Sequence, residues 1–513
     1  MQNNPANLII PRLDIDKFID EELYQDYIFQ LVVKKVGGFC VFNGTIDNTI
    51  QTIEKLNTYS KNSLIYLADF EYGTAMRITD GISYPHNMAL GKYNDTDVTY
   101  NISKQIAKEM KELGIHWNLA PVVDINSNRN NPIINIRSYG ENTEVVINHG
   151  KSFIKGHNDE GIITCLKHFP GHGDTDVDSH SALPVLNKSL SEMELLELVP
   201  FNECIQTFQK LDAIMIGHLH VAALDKDTIP ASISKNVITD YLINKLNFKG
   251  IVITDALDMN PIKNFYTTSE AIELAIDAGV DIMLMPETAS EAINKINELY
   301  LDEKIKVKIN NSLSKFNELK FRFNVSKIKP NKSNYEQLIS NSQKLGLKTA
   351  MNTLELQINN SELLPIKENL RVASFAFVQT EKDIEKATNF FNYMASTIEN
   401  DFDFGFLDTN IDDKDLEGLK EGLVDTDIFI FSFFYKSRSY QNEIGNAGKL
   451  IEIISKFNKT KPQINIFFGN PYLADEINGD INIKTFSDSL PSTVAVTLLL
   501  SGKQIDDNYL QMN

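Results

Sequence analysis

The sequence predicts an α/β protein of two successive domains. Two observations carry that reading. Short apolar runs of strand length alternate with stretches of helical period through residues 1–322, and the pattern resumes over 338–513 after a stretch rich in Pro, Asn, Lys and Ser at 323–337, read as a linker. In the first domain, apolar runs also end repeatedly in a charged or imidazole group. Asp69 follows LIYLA, Lys167 and His168 follow IITCL, His218 and His220 follow AIMIG, and Asp255 follows IVIT. Carboxyl ends of parallel strands carry functional groups in a closed barrel and in an open doubly wound sheet alike.

The elements follow in order. Strands are expected at Gly38–Phe42, Leu64–Asp69, Trp117–Val122, Ile162–Lys167, Ala213–Gly217, Ile251–Thr254 and Asp281–Met285. Thr99–Leu113 and Glu192–Phe208 repeat apolar residues at i, i+3 and i+4, the spacing of one helix face. Thr268–Ala278 does the same, with Ser269 and Glu270 to start it and Gly279 to stop it. In the second domain strands are expected at Leu354–Ile358, Arg371–Phe377, Ile428–Phe434 and Gln463–Phe468. Helices are expected there at Glu381–Met394, Ala447–Lys456 and Pro491–Leu500.

Composition narrows the partners. The 513 residues hold 49 Lys and Arg against 69 Asp and Glu, a formal charge of −20. A polyphosphate backbone or an anionic membrane surface attracts the opposite sign, so neither nucleic acid nor membrane is expected as a partner. No apolar run approaches the ~18 residues a membrane helix needs. Cys40, Cys165 and Cys204 are too few and too scattered for a disulfide framework, and the first residues show no secretory pattern, so a cytoplasmic setting is expected. All nine histidines and Trp117, the one tryptophan, lie at or before position 220, which concentrates the chemistry early.

The densest polar stretch runs from Lys167 to His180, KHFPGHGDTDVDSH. Pro170, Gly171 and Gly173 exclude a helix, so the segment is a loop. Three readings stand: a solvated acidic loop, a metal site drawn from His168, His172, Asp174 and His180, or metal-free acid–base work with Asp178 orienting His180. His218 and His220 add an HxH pair, which would suit a metal-dependent amide hydrolase on a barrel strand. Against that, the pair follows a late strand and no histidine lies downstream.

K-H-F-P-G-H-G-x4-D-x-H closely resembles the signature of family 3 glycoside hydrolases of the β-N-acetylglucosaminidase type. Asp69 through Arg77 resembles the family's D-x-E-x-G-x-x-x-R segment. It lacks the adjacent glycines and extra arginine of many members. Asn118–Asp124 resembles N-x-A-P-V-x-D, Arg137-Ser-Tyr-Gly resembles R-S-[FY]-G, and Val252–Met259 resembles the nucleophile strand. The resemblance implies a (β/α)8 TIM-type barrel followed by an αβα sandwich. It implies retaining hydrolysis of terminal β-linked N-acetylglucosamine, from peptidoglycan fragments (muropeptides) or chitooligosaccharides, with no metal or organic cofactor. Asp255 would be the nucleophile, and His180 with Asp178 the acid/base. Asp69, Arg77, Arg137, Lys167 and His168 would hold the sugar. Phosphorolysis is the near variant, and a binding protein that has lost activity is the non-enzyme alternative.

Overall fold

The computed structural model describes residues 4–175, 183–435, 447–457 and 461–504. Two compact units emerge. The first gathers the chain up to Ile82, Asp95–Ile134 and Ser138–Ile339; the second gathers Ser83–Asn94, Asn135–Arg137 and the chain from Ser340.

In the first unit the strands are β1 (Ile9–Ile10), β2 (Arg12–Asp14), β3 (Gly38–Phe42), β4 (Ile65–Ala68), β5 (Trp117–Asn118), β6 (Ile163–Thr164), β7 (Leu166–Phe169), β8 (Val185–Leu186), β9 (Ala213–Ile216), β10 (His220–Val221), β11 (Ile251–Thr254) and β12 (Met283–Leu284). Every strand pairing within it is parallel. β2, β3, β4, β5 and β6 form one sheet and β7, β9 and β11 another, while β1 pairs with β12. Single bridges join Val122 to Lys167 and Ile253 to Ile282. These strands are apolar and wholly buried along β3, β4, β9 and β11, as strands covered on both faces are. The α/β class expected from the alternation is therefore observed.

Several expected elements differ in detail, each for a local reason. The helix expected over Glu192–Phe208 is two helices, Leu190–Leu195 and Val199–Thr207. Pro200 lacks an N–H and its ring excludes the carbonyl of the preceding turn, so a single helix cannot pass through it. The helix Thr268–Ala278 has the expected bounds and a different cap: Thr267, rather than Ser269, forms the capping box with Glu270, and Gly279 closes it in the left-handed region at φ 100°. The strand expected over Trp117–Val122 shortens to β5, because Pro121 has no N–H to give to a ladder. The stretch read as a linker is structured at its end. Asn331 accepts from the Asn334 N–H at 3.1 Å and opens the helix Lys332–Thr353, and Tyr335 on its first turn is fully buried.

The second unit holds a six-stranded sheet. Its strands are β13 (Glu355–Ile358), β14 (Arg371–Val378), β15 (Asp401–Phe406), β16 (Ile428–Tyr435), β17 (Gln463–Gly469) and β18 (Ile481–Lys484), in the order β13-β18-β17-β16-β14-β15. Only the β13–β18 pair is antiparallel. Alternate residues of β14 and β16 enter two separate apolar clusters. Val372, Ile428, Ile430 and Phe434 pack with Phe390 and Val496 of the helices Glu381–Thr397 and Leu490–Ser501. Phe375, Phe429, Phe431 and Phe433 pack with Leu416 and Leu450 of the helices Asp413–Gly422 and Ala447–Phe457. Because strand side chains alternate in direction, the clusters lie on opposite faces, and the sheet is covered by helices on both sides.

Among the described residues, no helix is long and apolar enough to cross a membrane.

Candidate active site

The site begins where β4 ends. Ala68 closes the strand, and Asp69 follows with both carboxylate oxygens occupied. Oδ1 accepts from the Lys167 ammonium at 2.7 Å and Oδ2 from the Arg77 guanidinium at 2.6 Å. Burial alone would raise the Asp69 carboxyl, but Lys167 and Arg77 outweigh it and hold the group well below the usual carboxylate range. Arg77 follows the short 3-10 turn Thr74–Met76, and its guanidinium also lies 4.4 Å over the Phe42 ring at the end of β3. It is thus more than a solvated surface charge.

Lys167 comes from β7 and is 2% exposed. Besides Asp69 it meets Glu71 at 2.8 Å, so one buried cation joins two carboxylates, Glu71 buried and Asp69 largely so. Sequence reasoning assigned Glu71 no role, although it stands inside the D-x-E segment.

The next residue, His168, turns its Nδ1 to the Asp124 carboxylate at 2.8 Å. Asp124 is fully buried, with a carboxyl that burial raises and the His168 and His172 contacts bring back below normal. It also accepts from the backbone N–H groups of His168 and His172. Asp124 was missed as well. The signal was available, since it ends the apolar run NLAPVV just as Asp69 and Asp255 end theirs.

His172 is buried. Its Nδ1 lies 2.8 Å from the Thr175 hydroxyl, and its Nε2 has no partner among the described residues. Burial, with His168 beside it, lowers this imidazole to about 4, so it is neutral at pH 7. One residue on, Gly173 is required by space. A Cβ there would sit 1.6 Å from the carbonyl oxygen of Ile125.

Asp255 follows β11. Its N–H donates to the Ile216 carbonyl at 2.9 Å, and its Oδ1 accepts from the Ala256 N–H at 2.8 Å. It is no helix cap, because the next helix, Asn260–Lys263, is preceded by Met259. Burial pushes the Asp255 carboxyl up, but His168, His218, the Ala256 N–H and Lys167 outweigh that and leave it lowered, hence ionised at neutral pH. His218 has both ring nitrogens committed, Nδ1 to the Ser232 hydroxyl at 2.7 Å and Nε2 to the Ala256 carbonyl at 2.8 Å. It is a packed strand-end histidine with no ring nitrogen left open for a metal. Asp258 pairs with Arg12 of β2 at 2.9 Å.

Asp69, Arg77, Lys167, His168 and Asp255 therefore lie in one unit; ion pairs join Asp69 to Arg77 and Lys167, and the charges of His168 and Lys167 act on Asp255. Arg137 ends the turn Asn135–Arg137 of the second unit, where its carbonyl accepts from Asn87 Nδ2 at 2.7 Å. Asp178 and His180 lie outside the described residues.

What the arrangement offers is an ionised, half-buried carboxylate at a strand end, in the same unit as a hydrogen-bonding set of Lys, Arg, Asp and His that suits sugar hydroxyls. Comparison with known proteins points the same way. Residues 20–316 match the model of the glycosyl hydrolase family 3 N-terminal domain. β-Hexosaminidase A of Pseudoalteromonas piscicida is 32% identical over 381 residues, covering 68% of this chain and 63% of that protein. A β-N-acetylglucosaminidase/β-glucosidase of Cellulomonas fimi is 28% identical over 265 residues, covering 50% and 47% respectively. The chain thus spans less than two thirds of the length of either relative. A solved glycoside hydrolase family 3 β-N-acetylglucosaminidase from Paenibacillus sp. str. FPU-7 shares the fold, with a TM-score of 0.81 at 23% identity over 98% of this chain and 97% of that one. The family model matches more than half of the sequence, including the stretches that supply Asp69, Asp124, Lys167 and Asp255, and on that match the chain belongs to glycoside hydrolase family 3.

Proposed function

We propose that this chain is a retaining β-N-acetylhexosaminidase that removes terminal β-linked N-acetylglucosamine. Asp255 carries the reading. It is half-buried, ionised and follows a strand end, with His168, His218 and Lys167 lowering its carboxyl. In the first step its carboxylate attacks C1 of the sugar and forms a glycosyl–enzyme ester. The leaving oxygen takes a proton, and water then cleaves the ester with the acid acting as base. The motif resemblance assigns that proton to His180, oriented by Asp178. A histidine of ordinary pKa ~6.5 changes protonation state readily between the two steps near neutral pH. Asp69, Arg77, Lys167 and His168 bind the hydroxyls of the terminal sugar, and Arg137 joins them on the strength of its R-S-Y-G motif alone. Neutral N-acetylglucosaminides from muropeptides or chitooligosaccharides suit a chain of charge −20.

The same proposal extends to architecture. The run of parallel pairings β2 to β6, β7 to β9 to β11, the two single bridges and the β1–β12 pair support a closed (β/α)8 barrel, and the doubly covered second sheet supports an αβα sandwich.

The test is turnover of an aryl β-N-acetylglucosaminide against the matching β-glucoside, with the anomer of the first product read by proton NMR. The acetylated substrate should be preferred and the first product should be the β-anomer. Asp255→Ala should lose turnover by several orders of magnitude while keeping the fold. An α-anomer first product, or near-normal turnover by the variant, removes the mechanism.

A further inference from the structure

We propose that Asp124 is a positioning residue that acts through His168. The inference rests on the reading of Asp255 as nucleophile and His168 as a sugar ligand.

Asp124 cannot meet substrate itself, since it is 0% exposed. Its acceptor capacity is also spent. Oδ1 takes the His172 N–H at 2.7 Å and the His168 N–H at 3.2 Å; Oδ2 takes the same His168 N–H at 3.2 Å and faces His168 Nδ1 at 2.8 Å. One carboxylate therefore holds the backbone at both ends of the turn His168–His172 and one edge of the His168 ring. An ionised carboxylate accepts only, so His168 must present Nδ1–H to it. That assigns the tautomer and directs Nε2 to the opposite side of the ring. The ring so fixed is the largest of the neighbours that lower the Asp255 carboxyl. In sequence, Gly173 is followed by the segment that holds Asp178 and His180.

A buried carboxylate behind a working histidine is familiar from metal sites, where removing it costs about 10–100-fold. Here the ring would instead face a sugar and a nucleophile. The groups that share its surroundings are Asp124, Asp255, His172 and His218.

The experiment is a double-mutant cycle on the full chain with an aryl β-N-acetylglucosaminide. Asp124→Asn should lower kcat/KM about 10–100-fold in the wild-type background. In a His168→Ala background it should cost less than about threefold, because the group it positions is gone. An equal loss in both backgrounds overturns the proposal and leaves Asp124 as a structural residue. A second readout needs no activity. With [15N]histidine, the His168 ring, identified by its loss in His168→Ala, should show a proton on Nδ1. An unprotonated Nδ1 overturns the assignment even if Asp124→Asn fails to fold. Absence of turnover by the wild type would count against the proposed function, whereas the ring signal still decides the role of Asp124.

Discussion

Lys167→Met keeps most of the aliphatic stem and removes one buried charge, and its effect can be worked from the contacts. At an effective dielectric of about 20, unit charges 2.7–2.8 Å apart attract by about 6 kcal/mol. Two such contacts hold Asp69 and Glu71, and the cost of burying three charged groups offsets much of that attraction. What the substitution exposes is the cost of leaving two carboxylates without their shared cation, about 3–5 kcal/mol. Trp117 makes the measurement local. It is the one tryptophan, fully buried in β5 beside β4, so its fluorescence reports the first unit alone. With a urea m-value of about 3 kcal/mol/M, the midpoint should fall by about 1–1.7 M at pH 7. The pH dependence has a definite sign. In the wild type Asp69 is depressed, so its contribution is present above the unfolded pKa of ~3.9 and is lost only as pH falls through the lower folded value. Without Lys167 the Asp69 and Glu71 carboxylates lose the cation between them and repel each other, with Arg77 still pairing Asp69, so the penalty is greatest where both are ionised and the variant gains stability as the medium is acidified. The gap between the two proteins should therefore narrow from pH 7 to pH 5. A midpoint shift below about 0.3 M, or a gap that widens on acidification, would refute the reasoning.

Three further outcomes are expected. His116 accepts from the Tyr66 N–H through Nδ1 and faces the Val325 carbonyl through Nε2, and burial lowers its pKa to about 3. Its contribution is complete above the unfolded pKa of ~6.5 and is lost as pH falls towards 3, about 2 kcal/mol by pH 5; His116→Asn should flatten the Trp117-monitored urea midpoint between pH 7 and 5. Gly173→Ala forces the chain away from the Ile125 carbonyl, and should lower kcat/KM at least about tenfold if that segment delivers the acid/base group; unchanged kinetics would separate the two. Asp258→Asn breaks a pair whose side chains are 28% and 43% exposed, so its cost in the same urea assay should be about 1 kcal/mol or less.

Much of this was legible in sequence because strand ends announce themselves. LIYLA-Asp69, IITCL-Lys167 and IVIT-Asp255 each pair a buried run with an abrupt polar residue, and the structure pairs Lys167 with Asp69 and sets its charge to act on Asp255. What escaped was contact between distant segments. Nothing local distinguishes Glu71 from a solvated acid; its role is visible only once Lys167, far along the chain, stands 2.8 Å away. The second unit shows the same limit. Its apolar strands β14, β16 and β17 were legible as runs, whereas the edge strand β15, Asp-Phe-Asp-Phe-Gly-Phe, was not, because its side chains are exposed or half-buried and pack on one side only. Arg137 marks another boundary, since motif order cannot reveal that its turn packs with the second unit.

Low pKa and deep burial do not by themselves separate a nucleophile from a scaffold acid. Asp69, Asp124 and Asp255 are all buried or nearly so, and all are held below the usual carboxylate range. Their hydrogen bonding separates them. Asp124 has both oxygens filled, two donors on each, and Asp69 has one short ion pair on each. Among the described residues, Asp255 accepts one hydrogen bond, on Oδ1 from the Ala256 N–H. Attack on an anomeric carbon needs an ionised oxygen with a lone pair to give, and a saturated carboxylate would first have to break its own contacts. The same test applied to the imidazoles sets His218, bound at both nitrogens, in the scaffold and leaves the acid/base role to a ring elsewhere. Under the proposed function, saturation is thus the physical reason to assign the covalent bond to Asp255 rather than to Asp69 or Asp124.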